Sequence, residues 1–475
     1  MNDPVLIVGA GPVGLLTALI LDKFQVPSII IEKRRSLPGI PRAIHLDGEV
    51  MGILRMVGLG SYIDAKTYYS EGLYLINKKS NNTFLEAKLK YTNRFDGSSY
   101  FFDQNELEAE LIQKVNSSDY ISFRYGNELT ELINNEANIK SQEGEYIQKF
   151  SYLIGTDGAN SMVARLLDIK YTKYPFAKSN YKVDFVTEDK INYLNRIEKF
   201  CSTNDSYVRM GFKNRVRVEF TCQNTEELPS REKIEQVAEV KIKRVLHADI
   251  YNFEAKIVTE WIRNNIILAG DSAHTMPPYI GEGLCSGIRD ANNLAWKVAL
   301  SYHNKENLNL LETYPRERIP NVKKYIGLTL LTGFLFTTRL KYLLKPLELL
   351  NTPLKITQKA LNSGETNIID RSFNLPVLVS KPSKFASEIE KLYGKFTLIT
   401  SEELSDELLG YLIKKVEPME VVIFRENENI SREILNKLGI KKVRSLIIRP
   451  DLYVLFKGNL IDFASSNKYF KLPVY

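Results

Sequence analysis

A short apolar strand that runs straight into a glycine loop constrains this chain more than any other feature. Val5-Leu6-Ile7-Val8 has the unbroken apolar character of a strand buried on both faces, and Gly9-Ala10-Gly11-Pro12-Val13-Gly14 follows with no spacer. Apolar residues then recur at helical spacing through Leu15, Leu19 and Ile20, and a second apolar strand, Ser28 to Ile31, gives way to Glu32 and Lys33. Parallel strands cannot be joined by a tight turn, so this order predicts the opening βαβ unit of a parallel sheet. Gly9 permits the sharp turn, Gly11 lets a pyrophosphate approach the backbone, and Gly14 lets helix and strand pack closely. Free N–H groups at the helix start hold phosphates, which makes Gly9, Ala10, Gly11, Pro12, Val13 and Gly14 a candidate binding loop. Glu32, with Lys33 beside it, is placed to meet a ribose. An isolated GxGxxG also serves ordinary turns. The strand, helix and acid around this one favour a dinucleotide, without separating FAD from NAD.

At 475 residues the chain exceeds one ordinary domain, and 44% hydrophobic with 25% charged residues is the balance of a soluble globular protein. A net charge of +7 suits anionic small molecules. There is no long Lys/Arg block and no nucleic-acid module, so no nucleic-acid partner is expected. Cys201, Cys222 and Cys285 are scattered, with no CxxC or Cys/His grouping in sequence. Neither a disulfide framework nor a metal site is therefore expected, and a reducing cytoplasm is. The apolar run from Val5 to Leu21 lacks a basic leader and is read as the βαβ unit rather than a signal sequence. A second run, Ile326 to Phe336, is too short to span a bilayer and reads as a buried helix, so no stable membrane insertion is expected.

Two later stretches repeat the pattern of a strand ending in glycine and aspartate: Tyr152-Leu153-Ile154-Gly155-Thr156-Asp157-Gly158 and Ile266-Ile267-Leu268-Ala269-Gly270-Asp271-Ser272-Ala273-His274. Such ends bring a carboxylate to the carboxyl edge of a parallel sheet, where it can accept bonds from a polyol. Each aspartate alone suits a helix N-cap equally well. Met276 to Leu284 is a proline- and glycine-containing loop leading into a helix with Asp290, Asn293, Leu294, Trp296 and Lys297. Its bare N–H groups would suit a flavin carbonyl that gains negative charge on reduction.

In order and spacing these three motifs resemble those of the single-component FAD-dependent aromatic hydroxylases related to para-hydroxybenzoate hydroxylase. Within that family the chain is most similar to the 3-(3-hydroxyphenyl)propionate and polyketide hydroxylase branch. The similarity lies in Pro41-Arg42-Ala43-Ile44-His45-Leu46-Asp47, Met276-Pro277-Pro278, Cys285-Ser286-Gly287-Ile288-Arg289-Asp290 and Tyr314-Pro315-Arg316-Glu317-Arg318. It covers residues 1 to about 330, and the remainder more loosely. It implies an α/β chain: a Rossmann-like FAD-binding domain with an inserted β-sheet substrate domain and a C-terminal thioredoxin-like α/β domain. The FAD-binding parts would be residues 1–170 and, with connecting helices, 263–350; the substrate sheet 171–262; the thioredoxin-like domain 375–475.

The resemblance also implies residue roles. Gly9, Gly11 and Gly14 would bind the FAD pyrophosphate, Glu32 the adenosine ribose, and Asp271 the ribityl and phosphate region. Arg42 would reach the pyrophosphate and Gln104 the flavin side, while Pro278, Gly281, Gly283 and Leu284 would frame the isoalloxazine. Asp157 is linked in the family to both FAD and NADPH. One departure stands out: where the family pattern tends to have an arginine three residues after Ser161, this chain has Ala164, with Arg165 next, so any part that arginine takes in flavin reduction by NADPH is put in doubt or shifted by one. The chain is also somewhat short for this branch, which implies trimmed loops over the substrate.

From about 170 to 262 the pattern alternates as in strands. Tyr207 to Phe212 and Arg215 to Phe220, separated by Lys213-Asn214, read as a hairpin with Arg215, Arg217 and Glu219 on one face. In the family this region roofs the substrate, and Arg215 or Arg217 would hold a substrate carboxylate bidentately; a solvated sheet face is the alternative. Helical patterns run from Asp290 to about Leu350, interrupted at Pro320 and Pro346, and the tail beyond Asn374 alternates strands and helices. No cysteine follows Cys285, so the tail does no dithiol chemistry, and packing or homodimerisation is its expected role.

The activity implied is monooxygenation. NADPH or NADH reduces FAD, O2 enters through a flavin hydroperoxide, and a small phenolic or other aromatic substrate is hydroxylated. A general base beside the ring is then needed. Asp47 is the first candidate and His45 the second, with capping of the Gly48 helix as the alternative for Asp47. His274 reads as a strut of the FAD loop. Other readings stay open: a halogenase or reductase on the same fold, or a flavin-binding sensor or scaffold without catalysis. The halogenases carry a Trp-x-Trp-x-Ile stretch, whereas the tryptophans here are Trp261 and Trp296 alone.

Overall fold

The computed structural model describes residues 2–36, 43–88, 99–201, 206–222, 228–304, 310–337, 354–355, 391–416, 419–437 and 444–460. Arg42, Pro346 and the first residues of the tail lie outside them. The Val5–Val8 strand sits inside a six-stranded sheet of order Ile262–Arg263, Ile266–Leu268, Tyr152–Gly155, Val5–Val8, Ser28–Glu32, Ile121–Tyr125. All neighbours are parallel except the antiparallel edge pair at Ile262–Arg263. Val5, Leu6 and Ile7 are fully buried, as an unbroken apolar strand requires. The register sets Val8 beside Gly155 and Gly155 beside Leu268. The glycine loop and the two glycine–aspartate motifs therefore leave from the carboxyl ends of three adjacent strands.

The helix Pro12–Lys23 starts directly from the glycine loop and packs against the long helix Gly283–His303. A three-stranded antiparallel sheet, Glu128–Ile133, Glu136–Ser141 and Gly144–Lys149, adds Leu129, Ala137 and Ile139 to the same core. Pro320 does not interrupt the chain as expected but lies inside the helix Thr313–Thr337. The bond it forgoes is to the carbonyl of Arg316, one turn earlier. Ile326 is fully buried on this helix while Leu331 is 58% exposed. Among the described residues no helix is long and apolar enough to cross a membrane.

The second unit is a nine-stranded sheet. Its order is His274–Thr275, Arg244–Val258, Tyr171–Val186, Arg215–Cys222, Tyr207–Phe212, Arg196–Cys201, Gly72–Asn77, Thr83–Lys88, Leu354–Lys355. Lys213, at φ +56°, turns the hairpin between Phe212 and Arg215. Gly72–Asn77 joins this sheet from within the first 170 residues. Leu73 and Leu75 pack on one face with Phe84 and Tyr279, and Tyr74 and Ile76 on the other, so no alternation betrayed the strand. The outer face is covered by the helix Arg231–Ala238, whose Ile234 and Val237 meet Val183, Phe185, Val216 and Val218. The inner face turns Met210 and Phe212 against Ile44, Tyr68 and Phe101 of the first unit.

The tail forms the thioredoxin-like domain, with strand order Val421–Arg425, Phe396–Thr400, Ser445–Ile448, Val454–Gly458, the first pair parallel and the others antiparallel. Helices Asp406–Val416 and Asn429–Lys437 connect its strands. It is packed onto the long helix: Phe396 stands edge-on to Trp296, and Tyr393 Oη donates to Asn292 Oδ1 at 2.7 Å.

Candidate cofactor and substrate site

Gly9 takes φ +105°, a conformation that favours glycine, and its N–H donates to Ile31 O at 2.8 Å. A Cβ on Gly14 would press on the Gly9 backbone and come within 2.6 Å of Thr156 Oγ1, so helix and strand meet through a missing side chain. A Cβ on Gly11 would meet nothing within 4 Å, so the space beside its backbone is open. Thr156 was not singled out in the sequence, yet its hydroxyl donates to the carbonyls of Val8 and Gly9 at 3.1 and 2.9 Å, pinning the turn. Glu32 spans the loop: one carboxylate oxygen accepts from Ala10 N–H at 3.1 Å, the other from Arg34 N–H at 2.9 Å. Lys33 is exposed.

Asp157 accepts from the N–H groups of Met162 and Val163 through Oδ2, at 2.6 and 3.2 Å. Its Oδ1 is buried with no partner among the described residues. Gly158 N–H donates to Ser272 Oγ at 3.2 Å, tying the second motif to the third, and Asp271 stands exposed at the same edge. An open approach at Gly11, free N–H groups at the start of the Pro12 helix and an orphaned carboxylate oxygen fit a phosphate-bearing, hydroxyl-rich ligand. Ala164 is fully buried, with its N–H capped by Ser161 Oγ at 3.0 Å, and Arg165 is exposed. The arginine thus lies on the solvent side of a short helix whose core position is alanine.

The Pro278–Ile280 turn ends on Gly281 at φ +72°, and Gly283 opens the long helix, with Leu284 half buried behind it. His45 lies against this loop: a Cβ on Gly281 would come within 3.0 Å of His45 Nδ1, and Nδ1 is 3.5 Å from Gly281 O. Burial lowers the His45 pKa against the pull of Asp47 and favours the neutral ring. Gln104 does not point its amide into open space. It accepts from Ala43 N–H at 2.8 Å and donates to Glu108 Oε1 at 2.7 Å, bracing the segment that carries His45.

Asp47 caps the Gly48–Leu54 helix, accepting from Val50 N–H at 2.9 Å, and also pairs with Arg289. Arg289, on the long helix, is met by two further carboxylates, Glu49 at 2.7 Å and Glu282 at 3.1 Å. Burial tends to raise the Asp47 pKa, but Arg289 and the cap outweigh it and hold the carboxyl low, which makes Asp47 a poor base. His45, Glu282 and Cys285 place side-chain atoms within 4.8 Å of one another, a grouping invisible in the sequence. The Arg289 guanidinium on Glu282 opposes a cation there, and the grouping is read as part of the charged cluster.

The motif residues beyond Arg289 prove to be structural. Asp290 is fully buried and receives Gly270 N–H at 3.0 Å, His274 Nε2 at 2.6 Å and Arg318 Nε at 2.7 Å, so His274 is the expected strut. A turn further on, Glu317 receives Lys297, Asn293 and Arg449 at 2.9, 2.7 and 2.8 Å. Arg449 in turn pairs with Asp451, which accepts from Trp296 Nε1 at 3.1 Å.

On the inner face of the large sheet, Arg217 is 3% exposed and grips Asp184 with two bonds, at 2.5 and 2.8 Å. Arg215 pairs with Asp103, the N-cap of the helix Gln104–Asn116. The face is therefore covered rather than solvated, because it packs on the first unit. Two lysines missed in the sequence lie on it: Lys182, 2% exposed, and Lys199, 5% exposed. Burial, with Arg217 nearby, brings the Lys182 pKa down to about 8. Lys199 Nζ lies 4.7 Å from the centre of the Tyr279 ring, which brings the sheet to the Pro278–Gly281 loop.

A family model described as FAD binding domain matches residues 2–329. The 3-(3-hydroxy-phenyl)propionate/3-hydroxycinnamic acid hydroxylase of Comamonas testosteroni is 30% identical over 348 residues, 70% of this chain and 58% of that one. A probable NADH-specific resorcinol 4-hydroxylase of Rhodococcus jostii (strain RHA1) is 27% identical over 337 residues, 67% of this chain and 63% of that one. The chain thus spans less than two thirds of the length of these relatives. Among solved structures, aklavinone-11 hydroxylase in complex with FAD and aklavinone superposes with a TM-score of 0.74 at 19% identity, covering 96% of each chain. At that identity the likeness speaks for the fold alone.

Proposed function

The chain belongs to the FAD binding domain family, and from that premise we propose that it is an FAD-dependent monooxygenase hydroxylating a phenolic ring. The observation that carries this reading is one juxtaposition. The glycine loop and the two glycine–aspartate strand ends leave adjacent strands at one sheet edge, and Lys199 of the large sheet lies 4.7 Å from the Tyr279 ring of the loop that follows the last of them. Similarity to relatives named as hydroxylases of phenylpropionate and resorcinol supports it. Bound FAD would supply two-electron chemistry with a nicotinamide donor, NADPH or NADH, and activation of O2. The protein's part is binding, orientation, exclusion of water and proton handling.

In this proposal Gly9 to Gly14 hold the pyrophosphate, with the N–H groups at the start of the Pro12 helix as donors. Glu32 meets the adenosine ribose, Asp157 and Asp271 meet hydroxyl groups of the cofactor, and Pro278, Gly281, Gly283 and Leu284 frame its ring system. His45 replaces Asp47 as the preferred base. With its Nδ1–H turned to Gly281 O, the lone pair sits on Nε2 and can take the proton of a substrate hydroxyl. Arg217 orders the sheet face through Asp184, and Lys182 and Lys199 add two buried ammonium groups to that face, Lys182 among the carboxylates of Asp184 and Glu219. An aromatic acid is the substrate class that suits it.

Purified protein loaded with FAD should oxidise NADH or NADPH faster in the presence of a phenol it hydroxylates, and product should form in proportion. Donor oxidation that no phenol in a panel of carboxylated and neutral phenols accelerates would sink the hydroxylase reading. Two variants refine the test. His45→Asn is expected to lower kcat on the order of 10²-fold with little change in KM. The acid limb of the wild-type pH profile should fall below the ordinary histidine range, because the lowered pKa keeps the base form present there. Lys199→Met is expected to raise KM roughly 10-fold for carboxylated phenols and to leave neutral ones unchanged.

A further inference from the structure

Arg289 is asked to neutralise more charge than it carries. Its Nε faces Glu49, one terminal nitrogen faces Asp47 and the other Glu282, and the guanidinium is 4% exposed. Three ionised carboxylates around one buried cation leave an excess of negative charge that an apolar surrounding does not tolerate. The donors available to each carboxylate differ. Glu49 accepts from Arg289 and from the Tyr453 hydroxyl of the tail domain. Asp47 accepts from Arg289 and from Val50 N–H. Glu282 accepts from a single Arg289 nitrogen.

We propose that Glu282 carries a proton shared with Asp47, and that this clamped acid pair is the charge-setting element beside the Gly281–Gly283 loop. The proton sits on Glu282 because, among the described residues, Glu282 has the fewest donors, and its O–H then bonds the Asp47 carboxylate. The other groups facing the cluster do not relieve it. His45 on the neighbouring strand is kept neutral, Cys285 on the long helix is kept a thiol by burial, and Arg289 lies over the Tyr325 ring at 5.5 Å. Arg318 acts on Glu49 from the helix Thr313–Thr337 but is itself bound to Asp290. In agreement, burial and the Asp47 charge push the Glu282 pKa up to about 8 while Arg289 holds Asp47 low. Above that pH the proton leaves to solvent as H⁺, and the loop gains a negative neighbour.

The link to the cofactor rests on the FAD reading, since a reduced, anionic ring beside this loop would be repelled by an ionised Glu282. The shared proton itself does not. Infrared pH-difference spectra of the full chain, with and without FAD, test it. A carboxylic-acid carbonyl band should be present at neutral pH, vanish as the pH rises through about 8, and be absent from Glu282→Gln. The glutamine keeps the acceptor toward Arg289, so folding should be preserved, and Glu282→Met serves as a second variant if it is not. No band in the wild type, or a band that survives Glu282→Gln and disappears in Glu49→Gln, overturns the proposal. With FAD bound, the reduction potential should fall more steeply above pH 8 in the wild type than in Glu282→Gln. Failure to bind FAD would sink the cofactor reading and leave the infrared result standing.

Discussion

Gly11→Val is expected to leave the protein folded and to strip it of FAD, whereas Gly14→Val is expected to unfold the first unit. The two glycines share a motif and differ in what surrounds them. The space beside Gly11 is open, so a new side chain meets no protein atom within 4 Å and stands where the pyrophosphate would approach. Loss of about two charge-assisted bonds, at roughly 1.5–3 kcal/mol each, lowers FAD affinity on the order of 10²–10⁴-fold. At Gly14 the first added carbon already collides with the Gly9 backbone and lies 2.6 Å from Thr156 Oγ1. Backbone cannot yield as a flexible side chain can, so overpacking there costs about 3 kcal/mol or more. Flavin absorbance per chain after gel filtration reads the first effect and the urea midpoint the second. A Gly11→Val protein that retains FAD with wild-type affinity would remove the loop from the cofactor site.

The second large effect is expected where the tail domain meets the long helix. Arg449→Met should destabilise the protein by about 3–5 kcal/mol, because Glu317 and Asp451 would each lose a buried cation. Both carboxylates and Lys297 are essentially without solvent contact, so water cannot take over. The double variant Arg449→Met/Glu317→Leu should recover part of the loss, since the charge left unpaired is what costs most. Trp296, bonded to Asp451 and 5.5 Å from the Arg449 guanidinium, offers a fluorescence reporter for the urea titration. The network also has a pH signature. Burial alone would raise the Glu317 pKa, but Arg449 and Lys297 outweigh it and bring it down to about 2. Its folded pKa is thus depressed, so its stabilisation is fully present above the ordinary glutamate range and lost as the pH falls toward 2. In Glu317→Gln that part of the acid dependence should disappear.

What could be read from the sequence was whatever is local in it. The βαβ unit declares itself within thirty-odd residues because turn, helix and strand each leave a mark on neighbouring positions. The inner face of the large sheet left no such mark: alternation puts Arg215, Arg217 and Glu219 on one side but does not say whether that side meets water or another unit. Lys182 and Lys199 were passed over for the same reason. Asp47 looked like a base because it lies near the loop; its cap on Val50 is local and was legible as the alternative, whereas its pairing with Arg289 involves a residue from the other half of the chain. The clusters on Arg289 and Glu317 join positions 47, 49, 282 and 453, or 297, 317, 449 and 451, which no window of sequence brings together.

The contacts from Arg449 and Tyr453 have a bearing on how the molecule is made. Both residues are translated long after the glycine loop, yet Arg449 closes the charge network of the long helix and Tyr453 binds Glu49 beside Arg289. While the ribosome is still short of them, Glu317 and Glu49 each lack one of their partners and the long helix is held by fewer bonds. The first unit therefore acquires its full set of contacts only once the tail domain has been made and has docked, which couples the finished form of the glycine-loop unit to the folding of a later one.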